Sequence, residues 1–217
     1  MINHANKNQK GFTLAEVLVA VSLFTIIMIS AIGALLSSNF SYRRSESIKS
    51  SLDAVSYTLE DITRNTRTAL YIRCDSGASY PETGDYPASF SDPILDSETV
   101  PSPADCDPDF GNWGISFESA YGDEETPFDQ FSYKIVTKGE NAKIYRSRDG
   151  GNTYLPLLPN NVYLDPQETR FLVFGTGVDG IQPYVTITLS GYATYKDYTS
   201  PFSYQSTVSL RFIDYEI

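Results

Sequence analysis

Residues 10–32 read KGFTLAEVLVAVSLFTIIMISAI, and the architecture of the chain follows from this stretch. Residues 17–42 contain no charged side chain. Those 26 positions exceed the approximately 20 apolar residues that an α-helix needs to cross the hydrocarbon layer of a bilayer. The sequence therefore predicts a membrane-spanning helix close to the amino terminus.

One carboxylate, Glu16, stands at the start of this apolar run. A charged side chain at the centre of a bilayer costs roughly 2.5 kcal/mol or more, so an acid in such a segment needs a partner or a function. No basic residue follows Glu16 at helical spacing. The carboxylate therefore points to a partner outside its own helix.

The junction of Gly11, Phe12 and Glu16 with the apolar run resembles the processing site of type IV prepilins and type II secretion pseudopilins. In that family a peptidase cuts after the glycine that ends a short basic leader, and the new amino-terminal residue is N-methylated. The resemblance implies cutting after Gly11 and methylation of Phe12. It also implies that Glu16, at the fifth mature position, attracts the free amine of a neighbouring subunit during assembly.

An ordinary secretory signal is the alternative interpretation of the same segment. Lys7 and Lys10 would form its basic region, and residues 31–33, Ala-Ile-Gly, would form a small-residue cleavage site. This interpretation leaves Glu16 without a role.

Length and charge limit the possible functions. With 217 residues there is room for one domain of ordinary size plus an anchor. We expect a leader at residues 1–11, a membrane or filament-core half-helix at 12–39, and an exported globular domain at 40–217. The formal charge is −11, and removal of Lys7 and Lys10 with the leader lowers it by two further units to −13. Such an acidic chain is not expected to hold nucleic acid by bulk electrostatics.

The cysteines number two, Cys74 and Cys106. In an oxidising envelope such a pair predicts one disulfide, which would constrain the unfolded chain by roughly 3–4 kcal/mol. Two unpaired thiols remain the alternative. The single histidine is His4, in the leader, so a zinc site of the Cys/His type is not expected.

Beyond the apolar run the helix pattern continues without proline. One amphipathic stripe, with spacings of three and four residues, predicts a single helix from residue 12 to about residue 71, roughly 90 Å long at about 1.5 Å per residue. The stripe consists of Ile48, Leu52, Val55, Leu59, Ile62, Thr66 and Ala69.

From Trp113 onward, apolar and polar residues alternate as in an antiparallel sheet. The predicted strands are residues 114–119, 130–137, 143–146, 170–174, 184–192 and 203–214. Residues 138–141 and 149–152 predict chain reversals. Residues 75–112, rich in proline and polar residues, predict a long loop. The fold class is therefore α+β, with a long amino-terminal helix packed on an antiparallel sheet.

Three further patterns in the sequence bear on function. Asp105, Asp107 and Asp109 begin like a calcium loop, but Phe110 replaces the required glycine, so no cofactor is expected and calcium is a minor alternative. Five basic helix residues could bind nucleic acid, although such residues more often pair with acids or face solvent: Arg43, Arg44, Lys49, Arg64 and Arg67. An aromatic-rich segment could form an adhesive face, although aromatic residues in strands usually pack in the core: Tyr192, Tyr195, Tyr198, Phe202 and Tyr204.

Without histidine outside the leader, a Gly-x-Ser-x-Gly motif or a phosphate-binding glycine loop, the chain is not expected to be an enzyme. The resemblance implies a minor pilin or pseudopilin, and residues 144–162 and 207–211 look like larger minor pilins and J-type minor pseudopilins. Its implied partners are other pilin subunits, the prepilin peptidase, an inner-membrane assembly platform and lipid. The implied location is the cytoplasmic membrane, with the carboxy-terminal domain outside, and then the filament. A non-polymerising, single-pass binding module and an envelope hydrolase are the alternatives.

Overall fold

The computed structural model describes residues 11–74, 102–106, 113–123, 126, 129–177 and 181–211. The chain divides into two compact units, Met1–Glu46 and Ser47–Ile217. Most of the predicted loop at residues 75–112 lies outside the described residues, which include only its segment 102–106.

The first unit contains the amino-terminal part of helix α1 (Leu14–Arg67, 54 residues). The helix contains no proline, and its apolar side chains before residue 40 are exposed within the unit. Ser22, Thr25 and Ser30 donate their hydroxyls to carbonyls three or four residues earlier, which satisfies these polar groups within the helix itself. By length and composition this helix is able to cross a membrane.

In the second unit, α1 buries one stripe against the sheet, as the amphipathic pattern predicted. Val55 and Ile62 are fully buried. Hydroxyl residues share this buried stripe. The hydroxyls of Ser51 and Thr58 donate to the carbonyls of Ser47 and Ala54, so these two buried hydroxyls are paired within the helix. The complete buried set is Ser51, Val55, Thr58, Ile62 and Thr66.

The predicted end of the helix at residue 71 was wrong. The helix ends at Arg67, where Thr68 and Ala69 donate to the carbonyls of Asn65 and Thr66 in a tightened last turn. Tyr71 has φ of 49°, which no helix accommodates. Residues Leu70–Cys74 form a strand that buries alternate side chains, so a period of two replaces the helical period here.

The described residues form a nine-stranded curled sheet whose strand pairs are antiparallel. The strands are β1 (Leu70–Cys74), β2 (Gly114–Glu118), β3 (Phe131–Lys138), β4 (Asn141–Ser147), β5 (Leu155–Pro156), β6 (Val162–Leu164), β7 (Arg170–Phe174), β8 (Tyr184–Tyr195) and β9 (Tyr198–Ser209). Their order in the sheet is β1-β2-β3-β4-β6-β8-β7, while β5 pairs with β4 and β9 pairs with β8. The α+β class is thus confirmed.

The six predicted strands correspond to β2, β3, β4, β7, β8 and β9. The last was misplaced: β9 begins at Tyr198 and ends at Ser209, and residues 212–214 of the prediction lie outside the described residues. Its start was missed because Lys196 turns the chain with φ of 53° immediately after β8, which makes a long hairpin. The two predicted reversals are confirmed, with positive φ at Gly139, Gly150 and Gly151.

The core lies between the helix stripe and the inner face of the sheet. Val185, Ile187 and Leu189 on β8 are fully buried, and the residues between them are not, as their alternation predicted. Strands β6 and β8 pair at Gly191. A Cβ atom at this position would lie 2.1 Å from the carbonyl oxygen of Tyr163, so glycine is required here. Large side chains complete the core, among them Phe117, Tyr133, Ile144, Leu164 and Phe171.

Candidate processing and assembly site

The predicted processing site lies immediately before α1. Residues 11–13 are not helical, and the helix begins at Leu14. Phe12 is 85% exposed, so the bond between Gly11 and Phe12 is accessible in the described chain. A Cβ atom on Gly11 would contact nothing within 4 Å. No packing contact among the described residues therefore requires glycine at this position.

Glu16 is held in place by Thr13 at the start of the helix. Both the backbone N–H and the hydroxyl of Thr13 donate to Oε2 of Glu16, each at 2.9 Å. The N–H of Glu16 donates to the Thr13 hydroxyl at 3.3 Å. This reciprocal arrangement is a capping box, with Thr13 as N-cap and Glu16 three residues later. It satisfies donors that the first helical turn would otherwise leave unpaired.

Thr13 is the site residue that the sequence analysis missed. The signal was present, because Ser or Thr followed three residues later by Glu, ahead of an apolar run, is the sequence pattern of a capping box. The requirement for a partner of Glu16 is therefore met in part within its own chain. Both bonds from Thr13 go to Oε2, and an ionised carboxylate has about four acceptor sites, so Glu16 retains capacity for an external cation.

A second polar cluster, in the globular unit, joins the helix to the sheet. Arg146 on β4 donates from Nη1 to both oxygens of Asp61 on α1, at 2.9 and 2.8 Å. The Tyr133 hydroxyl donates to Asp61 and accepts from the side-chain amide of Asn65. Burial raises the pKa of Tyr133, so this phenol stays protonated as the donor. The cluster is a network that fixes the helix on the sheet.

An open pocket of about 510 Å³ lies beside this cluster. The Asp61–Arg146 pair forms its polar wall, while Ala54 and Leu157 supply apolar surface and Tyr57, 71% exposed, stands at its rim. Asp61 and Arg146 are already paired with each other, and Glu60 and Arg64 are the other charged residues that line the pocket.

Glu118 is a fully buried carboxylate that no sequence pattern singled out. Its Oε1 accepts the N–H of Ser119, and the same oxygen would lie 1.8 Å from a Cβ atom placed on Gly122. Asp129 closes the turn by accepting from the N–H of Asp123 and the hydroxyl of Thr126. Gly122 is therefore a packing requirement of this turn.

The predicted disulfide is confirmed, with Cys74 and Cys106 joined and their Cα atoms 5.0 Å apart. Around it, the N–H of Cys74 donates to the carbonyl of Ala104, and the N–H of Cys106 donates to the carbonyl of Val173. The bridge thus joins β1 to the segment 102–106, which in turn contacts β7.

Of the three acids in the predicted calcium loop, Asp107 and Asp109 lie outside the described residues. Asp105 accepts hydrogen bonds from the N–H groups of Gly175 and Thr176 and from the Thr176 hydroxyl. These hydrogen bonds of Asp105 anchor segment 102–106 beside β7. Within the part of the chain that the structure describes, no group of three His, Cys, Asp or Glu side chains is placed to hold a metal ion.

The basic and aromatic patterns do not converge on one site. Of the basic residues, Arg64 is exposed and lies 3.7 Å from Asp61, and Arg43 donates to the side chain of Asn39. Among the aromatic residues, Tyr192 stacks on Tyr163, and Phe202 and Tyr204 pack against the core. The aromatic segment therefore serves mainly as cross-strand and core packing, as its position in strands favours.

Comparison with known proteins identifies one segment. The family model described as the prokaryotic N-terminal methylation motif matches residues 6–32, which contain Gly11, Phe12, Thr13 and Glu16. None of the curated proteins and none of the solved structures compared with this chain matches it.

Proposed function

From the prepilin-type methylation motif at residues 6–32, which supports a place in the type IV pilin and pseudopilin family, we propose that this chain is a minor pilin or pseudopilin. It is a structural subunit of a type IV pilus or of a type II secretion pseudopilus. The observation that carries this proposal is the Glu16 carboxylate, which Thr13 holds in place. Glu16 is the fifth residue after the accessible Gly11–Phe12 bond and directly precedes an uncharged run of 26 residues.

Processing is the first step of the proposed function. The prepilin peptidase hydrolyses the bond after Gly11, which releases the basic leader and leaves a free amine on Phe12. The amine is then methylated. Because Phe12 stands outside the helix and is exposed, cutting disturbs no described tertiary contact.

Assembly is the second step. A subunit in lipid carries a carboxylate in an apolar segment, and the amine of Phe12 on a neighbouring subunit neutralises it. The capping box supports this role because Thr13 fixes Oε2 of Glu16 towards the amino-terminal end of the helix, where a neighbour's ammonium would approach. Such a charge-assisted pair in a medium of low dielectric is stronger than the same pair in water.

Anchoring follows from the apolar half of α1, which by length and composition is able to span the cytoplasmic membrane. The globular unit then lies outside the membrane, where the Cys74–Cys106 disulfide is stable in an oxidising compartment. An inner-membrane platform and surrounding lipid are the remaining partners of this proposal. In it the chain has no enzymatic activity and needs no cofactor.

The mature amino terminus tests the proposal directly. Mass spectrometry of the amino-terminal peptide from native membranes should find a chain that begins at Phe12 and carries a methylated amine. In Gly11→Val the added side chain should block cutting and leave the precursor in the membrane. Gly33→Ala is the matched control, because a Cβ atom there also contacts nothing within 4 Å, and it should be processed normally. A mature start at residue 1 or residue 34 would contradict the proposal.

A further inference from the structure

Two adjacent arginines follow the apolar run, and the proposed function gives them no role. Arg43 and Arg44 are the first charged residues after Glu16, and they lie on α1 within the first compact unit. The side chain of Arg43 is exposed, and among the described residues no carboxylate lies within ion-pair distance of it. An anionic partner from outside the described chain can therefore reach its guanidinium.

The length of the uncharged run sets the distance between these arginines and the hydrocarbon layer. About 20 helical residues cross that layer, so a span that begins at Val17, directly after Glu16, ends near Leu36. The next six residues, 37–42, rise by about 9 Å at about 1.5 Å per residue, and they include three serines and Asn39. This polar segment therefore begins at the height where a bilayer changes from hydrocarbon to head groups.

The side chain of Arg43 folds back towards the span. Its Nε donates to Oδ1 of Asn39 at 3.2 Å, one helical turn nearer the hydrocarbon layer. Side chains on a helix lean towards its amino terminus, which favours this direction. The guanidinium is thus held close to the level of Asn39, about 5 Å beyond Leu36, in the head-group region where lipid phosphates lie. Its two Nη groups stay available as donors.

Two aromatic residues stand at the same height. Phe40 and Tyr42 are 37% and 68% exposed. Tyrosine is enriched at membrane–water interfaces, because its ring lies against apolar groups while its hydroxyl reaches water. Nucleic acid, the other anionic partner considered for these arginines, leaves the aromatic residues without a role, and the formal charge of −11 disfavours it. The surface therefore fits the head groups of a bilayer.

Anionic phospholipids fit this surface better than zwitterionic ones. A guanidinium donates to phosphate oxygens in a two-pronged geometry and stays charged at physiological pH. The ammonium of a zwitterionic head group offsets the phosphate charge, whereas an anionic lipid keeps its net negative charge. A basic residue next to a span favours an anionic surface by about fivefold. The next acid, Glu46, lies about 3 Å farther from the bilayer than Arg44 and does not cancel this attraction.

We propose that Arg43 and Arg44, with Phe40 and Tyr42 beside them, form an interfacial site that binds the phosphate groups of anionic phospholipids in the outer leaflet. This inference rests on the membrane anchoring in the proposed function and names the class of lipid that the anchor contacts. It does not depend on polymerisation. The site holds the outer end of the span at the membrane surface, at the opposite end of the span from Glu16.

Energy transfer from the full-length protein to labelled lipids tests this proposal. The native cysteines are bridged, so a donor fluorophore attached through S45C labels one exposed position next to the site. The protein is reconstituted into vesicles of phosphatidylcholine and phosphatidylglycerol, with a trace of acceptor on the acyl chain of one lipid or the other. Phosphatidylglycerol should be enriched around the donor by at least about twofold over phosphatidylcholine. Raising the salt from about 0.1 M to about 1 M should remove the enrichment.

Two charge-matched variants separate the site from a general charge effect. Arg43→Gln/Arg44→Gln should abolish the enrichment, whereas Arg64→Gln/Arg67→Gln removes the same charge farther along α1 and should leave it unchanged. Retention of the Cys74–Cys106 disulfide checks that each variant is folded, and the salt dependence of the wild type decides the matter if one is not.

Several outcomes would overturn the proposal. They are equal transfer to both lipids in the wild type, equal loss in the two variants, and displacement of the lipid by a DNA duplex. Displacement by inorganic phosphate, compared with chloride at equal ionic strength, would assign the site to free phosphate instead of lipid. Absence of transfer to either lipid is a different result, because it would contradict the membrane anchoring itself and with it the proposed function.

Discussion

Arg146 on β4 and Asp61 on α1 form a two-pronged ion pair, with Nη1 of the arginine 2.9 and 2.8 Å from the two carboxylate oxygens. Both side chains are largely buried, at 18% and 17% exposure. They are separated by 85 positions in the sequence, so the pair forms only when the helix lies on the sheet.

The first prediction is that Arg146→Ala lowers the free energy of unfolding by about 2 kcal/mol, because it leaves the Asp61 carboxylate buried without its strongest donor. Denaturant titration of the full chain in detergent measures this value. Arg64→Ala is the control, since Arg64 is 72% exposed and 3.7 Å from Asp61, and it should change the free energy by less than about 0.5 kcal/mol. Equal effects of the two variants would mean that the buried pair adds no stability of its own.

Glu16→Leu should improve membrane insertion and impair filament assembly. Removing a carboxylate from the apolar segment favours insertion by about 2 to 4 kcal/mol on insertion scales, yet it also removes the acceptor for the neighbour's amine. Membrane fractionation measures the first quantity, and recovery of sheared filaments measures the second.

Glu16→Gln separates the charge from the cap. The amide oxygen still accepts from Thr13, so the capping box persists, but the negative charge is lost. Assembly should fail in this variant as it does in Glu16→Leu. Assembly at the wild-type level would assign Glu16 to capping alone and would favour a non-polymerising membrane anchor.

Reduction of the Cys74–Cys106 bridge should lower the melting temperature. Closing a loop with a sequence separation of 32 residues constrains the unfolded chain by about 3 to 4 kcal/mol in the chain-entropy account. Cys74→Ser/Cys106→Ser should show the same loss without reductant, and adding reductant should change it no further. A melting temperature that is independent of the bridge would show that the hydrogen bonds of segment 102–106 hold it in place alone.

The stability contribution of Asp149 should disappear in acid. The Ser147 hydroxyl, at 2.6 Å, and Thr153 donate to this carboxylate and lower its pKa in the folded chain. Because the folded pKa is depressed, the contribution is present above the unfolded value of about 4 and is lost as the pH falls through the folded value. Unfolding midpoints of the wild type and Asp149→Asn should therefore differ at pH 7 and converge as the pH falls below the folded pKa of Asp149. A difference that persists in acid would contradict this assignment.

The elements with strong local patterns were the predictable ones. The uncharged run predicted the helix, and the alternation at Val185, Ile187 and Leu189 predicted β8. Glycines predicted the chain reversals. The short strands depend on distant partners. β6 has three residues, and the chain entering it is held by Lys143, whose ammonium donates to the carbonyls of Pro159, Asn160 and Val162. No local pattern of residues 162–164 contains that information.

For the helix end and the candidate site, too, some features have a local sequence pattern and others depend on distant partners. The stripe continues past the last helical residue, Arg67, to Ala69. Its periodicity alone could therefore not locate the end of the helix, which depends on the pairing of β1 with β2. Gly11, Phe12 and Glu16 were predicted from the resemblance of their junction with the apolar run to prepilin processing sites. The capping role of Thr13 follows from a local sequence pattern, Thr followed three residues later by Glu, which the sequence prediction did not include.

Because of the bridge between Cys74 and Cys106, the stability of the fold depends only weakly on the length of the chain between the two cysteines. Its two ends are fixed 5.0 Å apart, one in β1 and the other bonded to β7. The entropy of closing a loop rises only with the logarithm of its length, so doubling the chain between fixed ends costs about 0.6 kcal/mol. An epitope tag or a fluorescent label inserted between residues 75 and 101 would therefore report on the position of each subunit while leaving the sheet and the helix start unchanged.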